Sequence, residues 1–370
     1  MIDISGIREF FPVKQSLLYF NFAADGPLPV PSQNALCEAA KECSRIGSIP
    51  VDKQSGVFEG MRSELSTLFK GKKENFAYIT NTSEGILYSL LAVDIKEDEN
   101  YIIAADSFPT TYRLMENMCK GTRKNVYIND ATPLVDQVKK QVDSKTRAII
   151  LDWVHYFSGK VIDLTPIVEL ARSKNIFTII DGIQGAGSLS IELERSGVDF
   201  FFTGGQKWLL SPQGSGFIYV SDKVWEKIPR KSFGWLGYDW KDFSDYSIDP
   251  EMRPGAGVME YGTRPFITGT AFRESLRLFN RFDLKAIESH TMELRKFFVE
   301  QIVKRGYETI LNESMAPIVP FKKPGKESAE LLRELNKKNV SLALRNGYLR
   351  AAFHFINERE EVERLIELLP

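Results

Sequence analysis

Two short apolar runs, FTIID from Phe177 to Asp181 and DFFFTGG from Asp199 to Gly205, lie close together, and each delivers a reactive residue type at its end. Both are rich in β-branched or aromatic residues and too short for a helix, the pattern of a strand buried on both faces. The first stops at a carboxylate and is followed by Gly182 and Gly185; the second places Lys207 two residues beyond its last glycine. Runs of the same kind begin at Phe76, Tyr101 and Arg147, separated by helical stretches. Alternation of this sort predicts an α/β chain with a mostly parallel central sheet and helices on both faces. In such sheets ligands bind where the loops at the strands' carboxyl ends converge, so Asp181 and Lys207 are expected at one mouth.

A lysine amine condenses with an aldehyde, and a carboxylate keeps a pyridine nitrogen protonated so that the ring becomes an electron sink. Those two group types are what a pyridoxal 5′-phosphate site needs. Each residue alone also has an ordinary reading: Asp before Gly is a common turn or cap, and Lys207 is one of 48 Lys and Arg. The surrounding motifs go further. The Asp181 to Gln184 step and the segment KWLLSPQGSGFIYV, Lys207 to Val220, resemble the class V aminotransferase branch of fold-type I pyridoxal-phosphate enzymes, with isopenicillin N epimerase-like and cysteine desulfurase-like members. The resemblance covers nearly the whole chain. It implies Lys207 as the Schiff-base lysine and general base, Asp181 as the partner of the pyridine nitrogen, and Gln184 as a hydrogen-bond donor to the phenolic oxygen. Gln206 stands where many relatives place His and is assigned to the phosphate or cofactor.

With 370 residues, 43% hydrophobic content and 26 glycines, the chain is long enough for a substantial core. The expected organisation is an N-terminal segment 1–30 reaching the active site, a large cofactor-binding domain 31–268, and a bridging helix with a small C-terminal α+β domain over 269–370. A net charge of −1 gives no electrostatic ground for nucleic acid or an anionic membrane surface. Apolar runs stay near strand length, far short of the roughly 20 residues of a membrane span, and no basic stretch leads into an apolar one at the start. The expected location is the cytoplasm. Three cysteines without metal-ligand spacing predict neither a disulfide framework nor a metal site.

The remaining candidates follow the chain. LLYFNFAADGPLP, Leu17 to Pro29, reads as a short strand with a turn; by resemblance it reaches the active site and offers Asn21 to substrate. Phe76 to Val93 reads as a strand, a polar cluster and a helix beginning at Thr82, Ser83 and Glu84. A helix amino terminus suits a phosphate, and the same hydroxyls suit capping; the resemblance assigns Thr82 and Ser83 to the phosphate. Phe108 in SFPTTYRL reads as core or, by resemblance, as the ring stacked on the pyridine. HYFSG after the Arg147 run places His155 and Tyr156 where relatives contact substrate and cofactor, with a structural histidine as the ordinary alternative.

GFIYV follows Lys207 too closely for a crossover helix, so that strand is expected antiparallel to its neighbours. The aromatic loop Trp235 to Tyr246 is expected to wall the pocket. Thr263 falls in a Gly-Thr-Arg element that, in the resembled family, reaches the phosphate of the neighbouring subunit, implying a homodimer with shared active sites. One long amphipathic helical stretch is expected from Gly269 to near Gly306. Arg350 in GYLRAAFHFIN is expected to clamp an amino-acid carboxylate with its planar guanidinium.

The first functional expectation is a class V aminotransferase acting on amino-acid and keto-acid substrates. An epimerase, or a cysteine or selenocysteine lyase, is the alternative. No cysteine lies between Gly325 and Arg350, which disfavours a desulfurase that stores sulfur on its own thiol. A catalytically idle scaffold that only binds cofactor is a third reading, against which the retained Arg350 argues.

Overall fold

The computed structural model describes residues 4–129, 131–240, 249–311 and 314–370. Its central sheet has seven strands in the order Phe76–Tyr78, Gly216–Val220, Phe200–Gly204, Phe177–Asp181, Thr146–Asp152, Asn100–Ala104 and Thr122–Val126. The strands from Phe200–Gly204 to Thr122–Val126 run parallel, joined by helices such as Pro109–Met118 and Thr165–Ser173. Gly216–Val220 is antiparallel to both neighbours, as its short connection to Phe200–Gly204 requires. The α/β class and the mostly parallel sheet are therefore as the sequence predicts.

Period-2 alternation packs the two faces separately. Ile149, Leu151, Ile180 and Phe201 point into one layer, while Ile150, Ile179, Phe200 and Phe202 point into the other, where the helix Thr82–Val93 brings Ile86 and Leu90. Each such side chain contributes roughly 1.5–3 kcal/mol on full burial. Gly85 lets this helix approach: a Cβ there would lie 2.5 Å from the Phe202 side chain. The helix is capped by Asn81, whose side chain accepts from the Glu84 amide at 3.0 Å, and not by the hydroxyls that follow. Glu84 in turn receives the Thr80 amide and hydroxyl. Thr82 and Ser83 are thereby left free of capping duty.

The single long helix expected from Gly269 to Gly306 is two helices, Phe266–Phe279 and Leu284–Lys304. Asp283 starts the second by accepting from the amides of Lys285 (2.8 Å) and Ala286 (3.2 Å), a start signal hidden inside a continuous apolar pattern. Beyond it, four antiparallel strands in the order Glu308–Thr309, Ile318–Lys322, Tyr348–Ala352 and Ala343–Arg345 pack against Leu284–Lys304, Ser328–Lys337 and Arg359–Leu368. The N-terminal strand Leu18–Tyr19 pairs with Val340–Ser341, and Asn21 bridges to Ala352. The first residues are thus tied to the last part of the chain before they cross to the central sheet. Among the described residues no helix is long and apolar enough to cross a membrane.

Candidate active site

The carboxyl ends of the parallel strands open on one edge of the sheet, where Asp181 ends one strand and Lys207 follows the next. Asp181 closes its strand in register with Phe202, and its Oδ1 accepts from the Ile183 amide at 2.9 Å. Burial raises its carboxyl to about 6, opposed by that amide and by the positive charge of Lys207. Lys207 follows the neighbouring strand, half-buried, with Nζ 5.7 Å from the centre of the Phe108 ring. Burial pulls its amine down to about 8; Asp181, Asp25 and Asp152 push the other way, and Arg350 adds to the fall. Phe108 caps the helix Pro109–Met118 and stays 43% exposed, so its ring is presented to this space and not spent in the core.

The lowered amine has a direct consequence. Against an ordinary lysine at 10.5, a value of about 8 raises the neutral, nucleophilic fraction at pH 7 roughly 300-fold. An amine-selective acylating reagent should therefore modify Lys207 in the cofactor-free protein with a midpoint near pH 8, read by peptide mapping, while exposed lysines respond two or more units higher.

Around this pair stand the other predicted groups. Thr82 opens the helix Thr82–Val93, and its Oγ1 accepts from the Gly204 amide at 3.1 Å, fixing the helix amino terminus beside the strand that leads to Lys207. Ser83 lines an adjoining groove with Asn81, Leu87 and Tyr261. Gln206 is half-buried and lies over Gly204, where a Cβ would come within 2.3 Å of its Oε1. Gln184 is buried, with Nε2 donating to the Ala23 carbonyl at 3.0 Å and Oε1 accepting from Trp208 Nε1 at 2.9 Å. One of its two amide protons remains for a ligand. Thr263 is exposed, two residues after exposed Tyr261.

On the far side, Arg350 rises from the strand Tyr348–Ala352 and is buried. Its Nη1 donates to the Tyr156 carbonyl at 2.5 Å, and its Nε has no partner among the described residues. Burial, with help from Arg345, lowers the guanidinium to about 10, leaving it charged at neutral pH. Tyr156 sets its ring edge-on to Phe108 at 5.5 Å. Asn21 keeps a buried Oδ1 without a partner next to this strand. His155 is different: its Nδ1 pairs with Ser158 Oγ at 2.9 Å and its Nε2 with the Asp106 carbonyl at 2.8 Å. Both ring nitrogens are engaged within the chain, the ordinary structural reading of that histidine. Of the Trp235 to Tyr246 loop, positions 241–248 lie outside the described residues.

The N-terminal segment meets this site, and two further features, at His354 and Asp152, escaped the sequence reading. The N-terminal segment docks on the lysine loop, with the Gly26 amide donating to the Gln206 carbonyl at 2.7 Å; a Cβ at Gly26 would meet the Lys207 carbonyl at 2.2 Å. His354 stacks on Phe22 and on Trp208 and bonds through Nε2 to the Trp208 carbonyl at 3.0 Å, steadying the residue after Lys207. Asp152 stands directly opposite Asp181 on the next strand. Its signal was available, because RAIILD ends in a carboxylate just as FTIID does.

Residues 51–365 match the aminotransferase class-V family model. The chain belongs to the class-V aminotransferase family. It is 22% identical to an isopenicillin N epimerase of Streptomyces clavuligerus over 96% of this chain and 94% of that one. It is 23% identical to a kynureninase of Pseudomonas fluorescens over 82% and 74%, and 22% identical to an uncharacterised aminotransferase of Bacillus subtilis over 84% and 82%. Among solved structures, a C-DES mutant with glycine covalently linked to its PLP cofactor superposes with a TM-score of 0.90 at 19% identity, covering 100% of this chain and 99% of that one. An apo cysteine desulfurase from Thermococcus onnurineus superposes at 0.85 and 18%, covering 100% and 97%. Pyridoxal phosphate is the cofactor of the class-V family. The residues present fit it: a depressed amine lies beside an exposed ring and a buried carboxylate, and a helix amino terminus is bonded to the strand that leads to that amine.

Proposed function

We propose that this class-V enzyme is an aminotransferase for a small α-amino acid, with Lys207 as its covalent and proton-carrying group. The observation that carries the reading is the convergence of a half-buried amine at about 8 with a buried carboxylate on one side and a buried, carboxylate-free arginine on the other. When bound, pyridoxal phosphate would supply an electron sink for charge released at the substrate's Cα. Asp181 would hold the ring nitrogen, Phe108 would cover the ring face, and Gln184 and Gln206 would supply further hydrogen bonds. Thr82 and Ser83 place amides and hydroxyls of a helix amino terminus at the phosphate. Arg350 takes the α-carboxylate in a planar two-bond contact, with Asn21 and Tyr156 beside it. Neutral Nζ of Lys207 would then take the proton from Cα, and the lowering of its amine makes more of that neutral form available near neutral pH. Exposed Thr263 and Tyr261 fit a partner subunit, with Thr263 reaching the partner's phosphate in a homodimer.

The positions of the cysteines favour the lyase or epimerase as the second reading over a desulfurase. Cys37 and Cys43 lie on the helix Val30–Ile46 and Cys119 follows Pro109–Met118, so none lies on the segment that leads to Arg350. Titrating the cofactor-loaded enzyme with alanine, glutamate, serine and cysteine separates the readings. Conversion of the bound cofactor to its pyridoxamine form, reversed by a keto acid, is the expected result. Ammonia, sulfide or racemised amino acid without that conversion would replace the aminotransferase with the second reading.

A further inference from the structure

Asp152 and Asp181 end neighbouring parallel strands in direct register, and both side chains lie on the face occupied by Ile150 and Ile179. Adjacent strands are about 4.8 Å apart, so the two carboxyls are neighbours, and both are buried. Asp181 has the Ile183 amide on Oδ1, whereas Oδ1 of Asp152 has no hydrogen-bond partner among the described residues. From the turn after Asn100–Ala104, the Ser107 hydroxyl, the Phe108 amide and the Asp106 carboxylate face Asp152; Lys207 is the cation that both acids feel. Arg350 and Asp25 bear on the group through Lys207. Two ionised carboxylates side by side, away from water, repel strongly, and a buried oxygen without a donor is costly.

We propose that Asp152 and Asp181 act as one unit holding a single proton between them, with Asp152 as a positioning residue that keeps the ring-nitrogen pocket at one net negative charge instead of two. The protonated carboxyl donates to the free oxygen of its neighbour, which gives the orphaned atom its bond. Burial and the facing Asp181 both push Asp152 well above the usual carboxylate range, in keeping with Asp152 as the proton's main holder. An O–H bond accepted by Asp181 makes it a weaker base toward a third partner, so the pair sets how firmly a ring nitrogen is held. This use of the pair rests on the reading of Asp181 in the proposed function; the shared proton is a property of the chain alone.

Infrared spectra of the cofactor-free full-length chain, titrated from acid to alkaline pH, test it through the carbonyl band of a protonated carboxyl. The wild type should keep that band at pH 7. Asp152→Asn should lose it at pH 7 while circular dichroism stays unchanged, because Asp181 alone ionises beside Lys207. Asp181→Asn removes the like charge, and the band of the remaining acid should titrate at least about one pH unit lower. Absence of the band in the wild type, its survival in Asp152→Asn, or an unmoved midpoint in Asp181→Asn would overturn the proposal. None of these readings needs cofactor chemistry, so the pair and the proposed function fail separately.

Discussion

Lys207→Ala is expected to lower turnover by about 10³-fold or more, since it removes both the nucleophile and the proton carrier, and a positioned general acid–base alone is worth about 10²–10⁴-fold. The ring, the carboxylate and the helix amino terminus remain, so non-covalent cofactor binding should persist while the covalent absorbance disappears. Steady-state rates together with equilibrium dialysis of pyridoxal 5′-phosphate check both halves. Loss of binding and of turnover to the same degree would make Lys207 a packing residue.

Arg350→Gln is expected to lower kcat/KM for the amino acid by about 10²–10³-fold, mainly through KM, because truncating a buried charged partner costs about 2–5 kcal/mol. Arg350→Lys should recover little of this, as an ammonium is a point charge and cannot reproduce the planar fork. Cofactor capture at Lys207 should be unchanged in both variants. A parallel fall in cofactor capture would mean that the bond to the Tyr156 carbonyl, and not a substrate carboxylate, is what Arg350 serves.

What the sequence disclosed was whatever had a local signature. FTIID and DFFFTGG announce buried strands by composition and length, and the short step from Lys207 to Gly216 forbids a crossover, so the antiparallel strand was legible without coordinates. Asp152 stayed hidden because RAIILDWV reads as one apolar run through Val154. In the fold the strand stops at Asp152, and Val154 turns away to bridge Val161. Asp283 was masked in the same manner by the apolar pattern around it.

The clamp around Lys207 was illegible for a different reason. Gln184 bonds to the Ala23 carbonyl, and His354 joins Phe22 to Trp208, contacts between parts of the chain more than a hundred residues apart. No periodicity or turn signal encodes such pairings, any more than that of Leu18–Tyr19 with Val340–Ser341. His155 shows the converse. Its sequence position suggests substrate, and only the bonds to Ser158 and Asp106 show how its ring is occupied.

The most direct test of the central claim is to load the full-length protein with pyridoxal 5′-phosphate, reduce it with borohydride, and map the modified peptide by mass spectrometry. One phosphopyridoxyl group per chain, on Lys207, is the predicted result. Modification spread over exposed lysines, or none at all, would contradict the assignment of this sheet edge as the active site.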